Sequence, residues 1–303
     1  MSTPRATILL RCKNSDTMIG PVLKSLASQE YQDFVLEVID SGSTDRTLEY
    51  IEHFEHRLHE IRPEQYVPGR VLNGGAERAD TELLVCLNSD CYMLHPQALG
   101  NLIAVFDDPE VQAAYARQVA RPEHPTWVQR DYEESFPPEH PAPPWITLSM
   151  PLAAMRRSVW EERQFYDEAW GSEDTEWGHW AKENGKKIVY VPDSLVMHSH
   201  DYTFRQLYGR RFIEGEADAF IYGEDASLID VAKRTLSSAA RDAVACAKAR
   251  DVKDMVSALP RRFVFHWAWY QGHQHGTKRR ETGDKDIRTG QKIVLDRHES
   301  HRE

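Results

Sequence analysis

Apolar residues in the first third of the chain alternate between short continuous runs and helical stripes. Three six-residue runs, at 6–11, 34–39 and 82–87, have the length and composition of buried strands. The apolar positions after each run recur at intervals of three and four, the spacing of one helix face. These stripes are Ile19, Val22, Leu23 and Leu26; Leu48, Ile51, Phe54 and Leu58; and Leu99, Leu102, Ile103 and Phe106. The alternation predicts an α/β domain with a mainly parallel central sheet flanked by helices.

Polar residues follow each predicted strand. The segments concerned are Lys13-Asn14, residues 40–45 and residues 88–90. Open α/β sheets bind their ligands outside the carboxyl ends of the parallel strands, and those ends share one edge of the sheet. We therefore expect the three segments to line one binding cleft.

The second half of the chain is less regular. Residues 120–144 are rich in Pro, His and Glu and poor in periodic apolar positions, which predicts a long loop of the kind that often acts as a lid. The further expected elements are regular structure at 145–157, a helix near 174–184 and a strand at 187–191 that Pro192 closes. Beyond Tyr202 the pattern is helical.

Charge and cysteine content narrow the class of protein. The 303 residues include 37 Lys and Arg against 48 Asp and Glu, a net charge of -11, which argues against a nucleic-acid partner. The four cysteines form no CxxC pair, which is typical of reduced thiols. Because the sequence contains neither a stretch long enough to span a bilayer nor a signal-peptide pattern, we expect a soluble cytoplasmic protein.

Asp40 and Asp90 each follow a predicted strand, and each allows two interpretations. Asp40 could accept an N–H from a nucleoside base or hold a ribose hydroxyl, or it could form an Asx-type turn or a cap for the next helix. Asp90 could bind Mg²⁺ or Mn²⁺, which prefer oxygen ligands, or simply form a structural turn. Sequence position alone leaves both pairs of alternatives open.

A second acidic cluster, Glu173, Asp174 and Glu176, begins a predicted helix, where the helix dipole favours acids whatever their function. The cluster also lies among tryptophans, whose faces suit a sugar site, and a carboxylate there could deprotonate an acceptor hydroxyl. Further on, His198 and His200 follow the 187–191 strand. Their imidazoles would supply the nitrogen ligands that complete a Mn²⁺ site with Asp90.

Six motifs, in this order, resemble those of glycosyltransferase family 2, particularly its bacterial rhamnosyltransferase-like members. They are LLRCKN (9–14), VIDSGSTDRT (38–47), LNGGAERA (72–79), LNSDC (87–91), GSEDTEW (171–177) and MHSHDYTFRQ (197–206). The resemblance covers about residues 6–215. It implies a GT-A fold and an inverting transfer from a nucleoside-diphosphate sugar, usually with Mg²⁺ or Mn²⁺.

The resemblance also assigns roles to individual residues. By position, Asp40 would contact the nucleoside base, Asp90 would be the second acid of the DxD metal motif and Asp174 the catalytic base. His198 would be a metal ligand, with His200 as the alternative. The donor-binding set is Asn14, Asp40, Ser41, Asn73, Asn88, Arg117, Arg210 and Arg211, and the acceptor-binding pair is Glu173 and Trp177. The first acid of the DxD motif is replaced by Asn88, which weakens the expectation of metal dependence.

We expect a catalytic domain over 1–215 and a helical extension with a charged tail over 216–303. The expected partners are a nucleotide sugar and a saccharide or lipid-linked acceptor in surface polysaccharide synthesis. The aromatic and basic segment 259–272 suits either a packed helix, a contact between copies of the chain in a homo-oligomer, or peripheral docking at the inner face of the membrane. A nucleotidyltransferase or a non-catalytic nucleotide-sugar-binding relative stays open as an alternative.

Overall fold

The computed structural model describes residues 4–139, 141–168, 170–284 and 286. The chain forms two compact units. The first comprises Met1–Arg121, Tyr132–Tyr166 and Glu173–Ser199, and the second comprises Pro122–Asp131, Asp167–Ser172 and His200–Glu303.

Eight strands of the described residues form one sheet in the first unit. They are β1 (Ala6–Cys12), β2 (Phe34–Asp40), β3 (Arg57–Glu60), β4 (Leu83–Asn88), β5 (Tyr92–Met93), β6 (Val111–Val119), β7 (Leu152–Arg156) and β8 (Lys187–Met197). Their order in the sheet is β3-β2-β1-β4-β7-β6-β8-β5.

The strand directions bring several carboxyl ends to one edge of the sheet. Strands β1 to β4 pair in parallel, and β6 pairs in parallel with β8. Strand β7 lies between β4 and β6 and is antiparallel to both. Since two antiparallel pairings separate them, β4 and β6 run in the same direction. The predicted α/β sheet is confirmed, but it is mixed, because β7 and β5 run against their neighbours.

The helices that contribute to the first unit are α1 (Ile19–Ala27), α2 (Thr47–Ile51), α3 (Pro68–Arg78), α4 (Ala98–Ala104), α5 (Thr126–Ser135), α6 (Arg157–Glu162) and α7 (Glu173–Glu183). Successive side chains of a strand point to opposite faces. Accordingly, Ile8 and Leu10 belong to the apolar cluster that contains α1, whereas Leu9 packs with Leu72 and Trp177. Both faces of β1 are buried, which explains its unbroken apolar run.

Two sequence expectations about these helices and strands are wrong. The predicted loop at 120–144 contains helix α5, whose apolar face is short, with Trp127 and Val128 as its buried residues. Strand β8 also continues through Pro192 to Met197. Pro192 is tolerated because the register of β6 with β8 shifts between Ala116 and Arg117, and a bulge leaves a backbone position without a ladder hydrogen bond.

The second unit is helical and contains α8 (Phe204–Ile221), α9 (Leu228–Ala249) and α10 (Val252–Thr282). Gly215, the last residue of the expected catalytic domain, lies inside the continuous helix α8, and the division into a catalytic domain and an extension stays a prediction. Helix α10 covers the start of the charged tail, and the rest of that tail, 287–303, lies outside the described residues.

Glycines allow α8 and α10 to pack with their backbones in close contact. A Cβ atom at Gly272 would overlap the carbonyl oxygen of Phe212, and one at Gly215 would overlap that of Trp269. Charged groups are also buried in this unit: Arg262 makes two hydrogen bonds to Asp242, at 2.6 and 3.0 Å, and Asp242 is fully buried. Burial of a charge requires such pairing, so these contacts fix the helices in one arrangement.

We expect Gly272→Ala to lower the free energy of unfolding by about 1–3 kcal/mol, because the added methyl forces α8 and α10 apart. Thermal unfolding followed by circular dichroism measures the change. Gly100→Ala is the matched control, since its Cβ would lie 3.7 Å from Tyr31 in ordinary contact. Equal unfolding temperatures for the Gly272 variant and the unchanged chain would contradict this account of the helix packing.

Candidate functional site

The loops after β1, β2 and β4 are joined by hydrogen bonds. Asn14 adopts a left-handed backbone conformation, with a φ of 46°, which Asn tolerates better than most residues. Its backbone N–H donates to Ser43 Oγ at 2.9 Å, and its Oδ1 accepts from the N–H of Thr44 at 2.8 Å. The hydroxyls of Ser15 and Ser89 are 2.9 Å apart. The three polar segments identified in the sequence therefore lie together.

The carboxylate of Asp40 organises the turn after β2. Its Oδ2 accepts the N–H groups of Gly42 and Ser43 at 2.9 and 2.8 Å, and its Oδ1 accepts from Ser43 Oγ. Asp40 is buried, and Ser41 is tied to the end of β1 through Cys12. The Asx turn that the sequence left open is thus present, and contact of Asp40 or Ser41 with a nucleoside stays a prediction.

A buried ion pair crosses from β1 to the start of α7. Arg11 Nη1 is 2.7 Å from Glu173 Oε1, and both side chains are largely buried. Arg11 Nη2 also lies 3.5 Å from Asn88 Oδ1 at the end of β4, the strand paired with β1. The pair therefore joins the two strand ends to the acidic helix, and it occupies the carboxylate of Glu173.

The three candidate metal ligands come together beyond the ends of β4 and β8. One ligand atom from each of Asp90, His198 and His200 can be chosen so that all lie within 4.8 Å of one another. His198 Nε2 is 3.6 Å from Asp90 Oδ1. A carboxylate oxygen with two imidazole nitrogens is a donor set that Mn²⁺ accepts, so this grouping fits a divalent cation.

Gln118 determines which nitrogen of His198 faces Asp90. Gln118 Nε2 donates to Ser149 Oγ at 2.7 Å, so its Oε1 is the acceptor for His198 Nδ1 at 2.8 Å. A neutral imidazole that donates through Nδ1 has its lone pair on Nε2. The lone pair consequently points toward Asp90, as metal coordination requires.

Three consecutive residues before β7 connect the parts of the site. Ser149 accepts from Gln118, the N–H of Met150 donates to Asp174 Oδ2 at 3.3 Å, and the carbonyl of Pro151 accepts from the N–H of Asn88 at 3.0 Å. Adjacent Cα atoms are about 3.8 Å apart. The predicted base Asp174 is therefore held close to the Gln118–His198 pair.

Asp40, Asp90, Asp174 and His198 all lie at the edge of the sheet where the parallel strands end. Asp40 and Asp90 follow parallel strands that flank β1, and the contacts of residues 149–151 bring Asp174 and His198 to the same edge of the sheet. The arrangement places a carboxylate, a candidate cation site and loop backbone at one edge of the sheet. Such a set could bind a diphosphate and remove a proton from a hydroxyl.

Comparison with known proteins identifies the family. The family model described as "Glycosyl transferase family 2" matches residues 7–163, more than half of the chain. The chain belongs to glycosyltransferase family 2. The O-antigen chain rhamnosyltransferase RfbN of Salmonella typhimurium is 27% identical to the transferase over 224 residues, which cover 70% of this chain and 71% of RfbN.

Solved structures confirm the expected GT-A fold. The mannosyltransferase PcManGT from Pyrobaculum calidifontis, in complex with GDP-Man and Mn²⁺, matches 91% of the transferase and 88% of its own chain, with a TM-score of 0.63 and 16% identity. TarS 1-349 of S. aureus in complex with UDP-GlcNAc matches 92% of each chain, with a TM-score of 0.52 and 17% identity. Among the described residues of the transferase, no helix has both the length and the apolar character to cross a bilayer.

Two of the residues predicted to bind substrate make contacts within the fold. Trp177 is fully buried, donates through Nε1 to the carbonyl of Arg163 at 2.9 Å and packs against Trp180, and its contact with an acceptor stays a prediction. The amide of Asn73 is committed on both sides, because Nδ2 donates to the carbonyl of Phe165 and Oδ1 accepts from Trp160 Nε1. Asn73 joins α3 to the segment after α6 through these bonds, and its contact with the donor stays a prediction.

The predicted donor-binding arginines already have partners. Arg117 donates to the carbonyl of Phe136 at 3.3 Å. Arg210 and Arg211, on α8 of the second unit, both bind Glu214, and the guanidinium of Arg211 lies 3.9 Å from the ring centre of Phe265. Whether the three reach a diphosphate stays a prediction.

Arg11 and Arg121 were missed as candidate site residues by the sequence analysis. Arg121 Nη2 donates to the carbonyl of Asp90 at 2.8 Å, and its backbone N–H donates to Ser199 Oγ. A charged residue at the end of an otherwise apolar strand, such as Arg11, was the one available signal. Burial raises the pKa of the neighbouring Cys86 thiol to about 12 and that of Cys91 well above its ordinary value.

Gln118→Met should weaken Mn²⁺ binding by about 10- to 100-fold, because His198 loses the acceptor that orients it. Isothermal titration of the purified chain with Mn²⁺ measures the affinity, and thermal unfolding checks that the variant is folded. Gln112→Met, on the same strand, is the matched control and should bind Mn²⁺ like the unchanged chain. Unaltered affinity in a folded Gln118 variant would show that the assigned hydrogen bond has no part in the metal site.

Proposed function

We propose that the transferase moves a sugar from a nucleoside-diphosphate donor to a saccharide or lipid-linked acceptor, with inversion at the anomeric carbon, in surface polysaccharide synthesis. The observation that carries this proposal is the joining of Asp174 to the Asp90, His198 and His200 group through residues 149–151. The catalytic base and the site for the leaving group are then neighbours, as a displacement reaction requires.

The relatives support the substrate class. RfbN is named as an O-antigen rhamnosyltransferase, and the two structural neighbours bind GDP-Man and UDP-GlcNAc. These names differ in both base and sugar, so they support a nucleotide sugar without choosing one. The four buried free thiols support a reducing, cytoplasmic location for the reaction.

The donor atoms of Asp90, His198 and His200 suit Mn²⁺ or Mg²⁺, with Mn²⁺ favoured because two of the three are imidazole nitrogens. A divalent cation bound there would neutralise charge on the diphosphate. Asn88 brings no charge where the motif usually has an acid, and it lies beside Arg11. The cation would therefore depend on a single carboxylate, and we expect weaker binding than at a site with two.

Asp174 is assigned the role of general base. The hydrogen bonds from the N–H groups of Met150 and Thr175, at 3.3 and 2.8 Å, orient its carboxylate. The acceptor hydroxyl would transfer its proton to Asp174 as its oxygen forms a bond to the anomeric carbon. The bond from that carbon to the diphosphate oxygen would break, and the electron pair would leave with the nucleoside diphosphate. A single displacement of this kind inverts the anomeric configuration.

The donor would lie over the joined loops after β1, β2 and β4. The nucleoside is assigned to Asn14, Asp40 and Ser41. Asp40 Oδ2 and Asn14 Oδ1 already accept backbone N–H groups, so other atoms of this turn would contact the nucleoside. The diphosphate is assigned to the end of β4 and the candidate cation site. Arg117, Arg210 and Arg211 are retained as candidates for charge compensation.

Asp174→Asn should lower kcat by about 10²- to 10⁴-fold while leaving the affinity for nucleoside diphosphate within a factor of a few, because the amide preserves shape but cannot accept the proton. Product formation with the native donor and calorimetric binding of the diphosphate measure the two effects. Glu183→Gln, at the exposed end of the same helix, is the control and should keep full activity. Turnover at the normal rate in the Asp174 variant would remove it as the base.

A panel of UDP-, GDP- and dTDP-sugars, each with and without Mn²⁺, would identify the donor by thermal shift and by release of nucleoside diphosphate. We expect one nucleotide class to stabilise the chain, and chelation of the metal to reduce turnover. Proton NMR of the product would give the anomeric configuration. Binding of a nucleotide sugar with no transfer to any acceptor would favour a non-catalytic relative, and retention of configuration would contradict the displacement.

A further inference from the structure

The first half of α10 carries an exposed apolar stripe. Val252, Val256, Leu259 and Phe263 are 64%, 73%, 52% and 52% exposed, and their spacing of four, three and four places them on one helix face. The opposite face is the buried one, with Asp254, Ala258, Arg261 and Arg262 among its residues. Within the described part of the chain, the stripe is therefore the outer surface of the helix.

Basic residues surround the beginning of this stripe. Lys248, Arg250 and Lys253 are exposed and lie within five positions of Val252, where α9 ends and α10 begins. Asp251, the acid among them, caps α10 through the N–H of Asp254 and accepts from Thr126 Oγ1 at 3.0 Å. The tip of the α9–α10 hairpin is thus locally basic, although the whole chain has a net charge of -11.

The stripe continues into aromatic side chains. Phe263 stacks on Trp267 with ring centres 6.1 Å apart, and Trp267 stacks on Tyr270. Trp269, in contrast, donates through Nε1 to Asp218 at 2.7 Å and belongs to the packed side. The sequence segment 259–272 therefore divides between an outward apolar row and an inward packing row.

We propose that the tip of the α9–α10 hairpin docks onto a membrane surface that contains anionic lipid. The apolar stripe would enter the boundary between headgroups and acyl chains, and Lys248, Arg250 and Lys253 would meet the lipid phosphates. The positive charge at the hairpin tip favours a bilayer over a second copy of this chain as the partner of the stripe. An anionic surface complements these bases, whereas a dimer with its two-fold axis at the hairpin tip would bring the bases of two copies together.

The proposal deepens the proposed function, since it gives the transferase access to lipid-linked acceptors. The docking proposal depends on the proposed function only in assuming that the acceptor is lipid-linked. Vesicle binding needs neither donor nor turnover, so failure of docking and failure of the transferase assignment are distinguishable.

The test is co-sedimentation of the full chain with vesicles of phosphatidylcholine alone and with vesicles that also contain phosphatidylglycerol. We expect binding to the anionic vesicles that weakens as salt rises. The variant Lys248→Gln, Arg250→Gln, Lys253→Gln should bind about 100-fold more weakly, at about fivefold per base. The variant Val256→Ser, Leu259→Ser, Phe263→Ser should lose at least about tenfold with its bases intact.

A matched control, Lys24→Gln, Arg57→Gln, Lys278→Gln, removes three exposed bases elsewhere and should bind like the unchanged chain. Circular dichroism and nucleoside diphosphate binding would confirm that every variant is folded. Lack of sedimentation with anionic vesicles, or equal losses in the control and the hairpin variants, would overturn the proposal. So would a concentration-dependent dimer that the apolar variant abolishes, because the stripe would then be covered by a second copy.

Discussion

The hydrogen bonds of residues 149–151 hold the candidate site in register. These residues lead into β7, the strand that runs against β4 and β6. An antiparallel strand between two parallel neighbours must begin at the edge where those neighbours end, so its first residues cross the carboxyl ends of the sheet. In this segment, Ser149, Met150 and Pro151 form hydrogen bonds to Gln118, Asp174 and Asn88 respectively. The strand order therefore explains why Gln118, which binds His198, and the predicted base Asp174 are both hydrogen-bonded to the segment 149–151.

A second contact, the ion pair of Arg11 with Glu173, balances charge beside the candidate site. Both side chains are largely buried, and removal of either would leave the other as an uncompensated charge. Because Arg11 also reaches Asn88, a neutral residue there avoids a third charge in the same small volume. The pair fixes the start of α7, and with it the position of Asp174, whereas Asp90 is left on the side of the two histidines.

The helical unit combines buried ion pairs with an exposed apolar stripe. Asp242, Glu216 and several arginines are buried and paired, and exposed apolar side chains occupy the outer face of α10. Buried ion pairs contribute little net stability, but loss of one partner would leave an unpaired buried charge. Glycines let the backbones of α8 and α10 come into close contact.

The sequence by itself determined the α/β architecture and the loops that carry the chemistry. Strand and helix periodicity are local properties, and the rule for carboxyl ends of parallel strands then places Asp40 and Asp90 at one edge. Only the tertiary structure decided which of the remaining residues serve the site. The contacts of Arg11 with Glu173 and of Gln118 with His198 join residues 162 and 80 positions apart, and no local pattern records such pairs. Trp177 shows the same limit, because a tryptophan beside catalytic acids fits either a sugar platform or the core, and the side of the helix that packs inward is set by the whole fold.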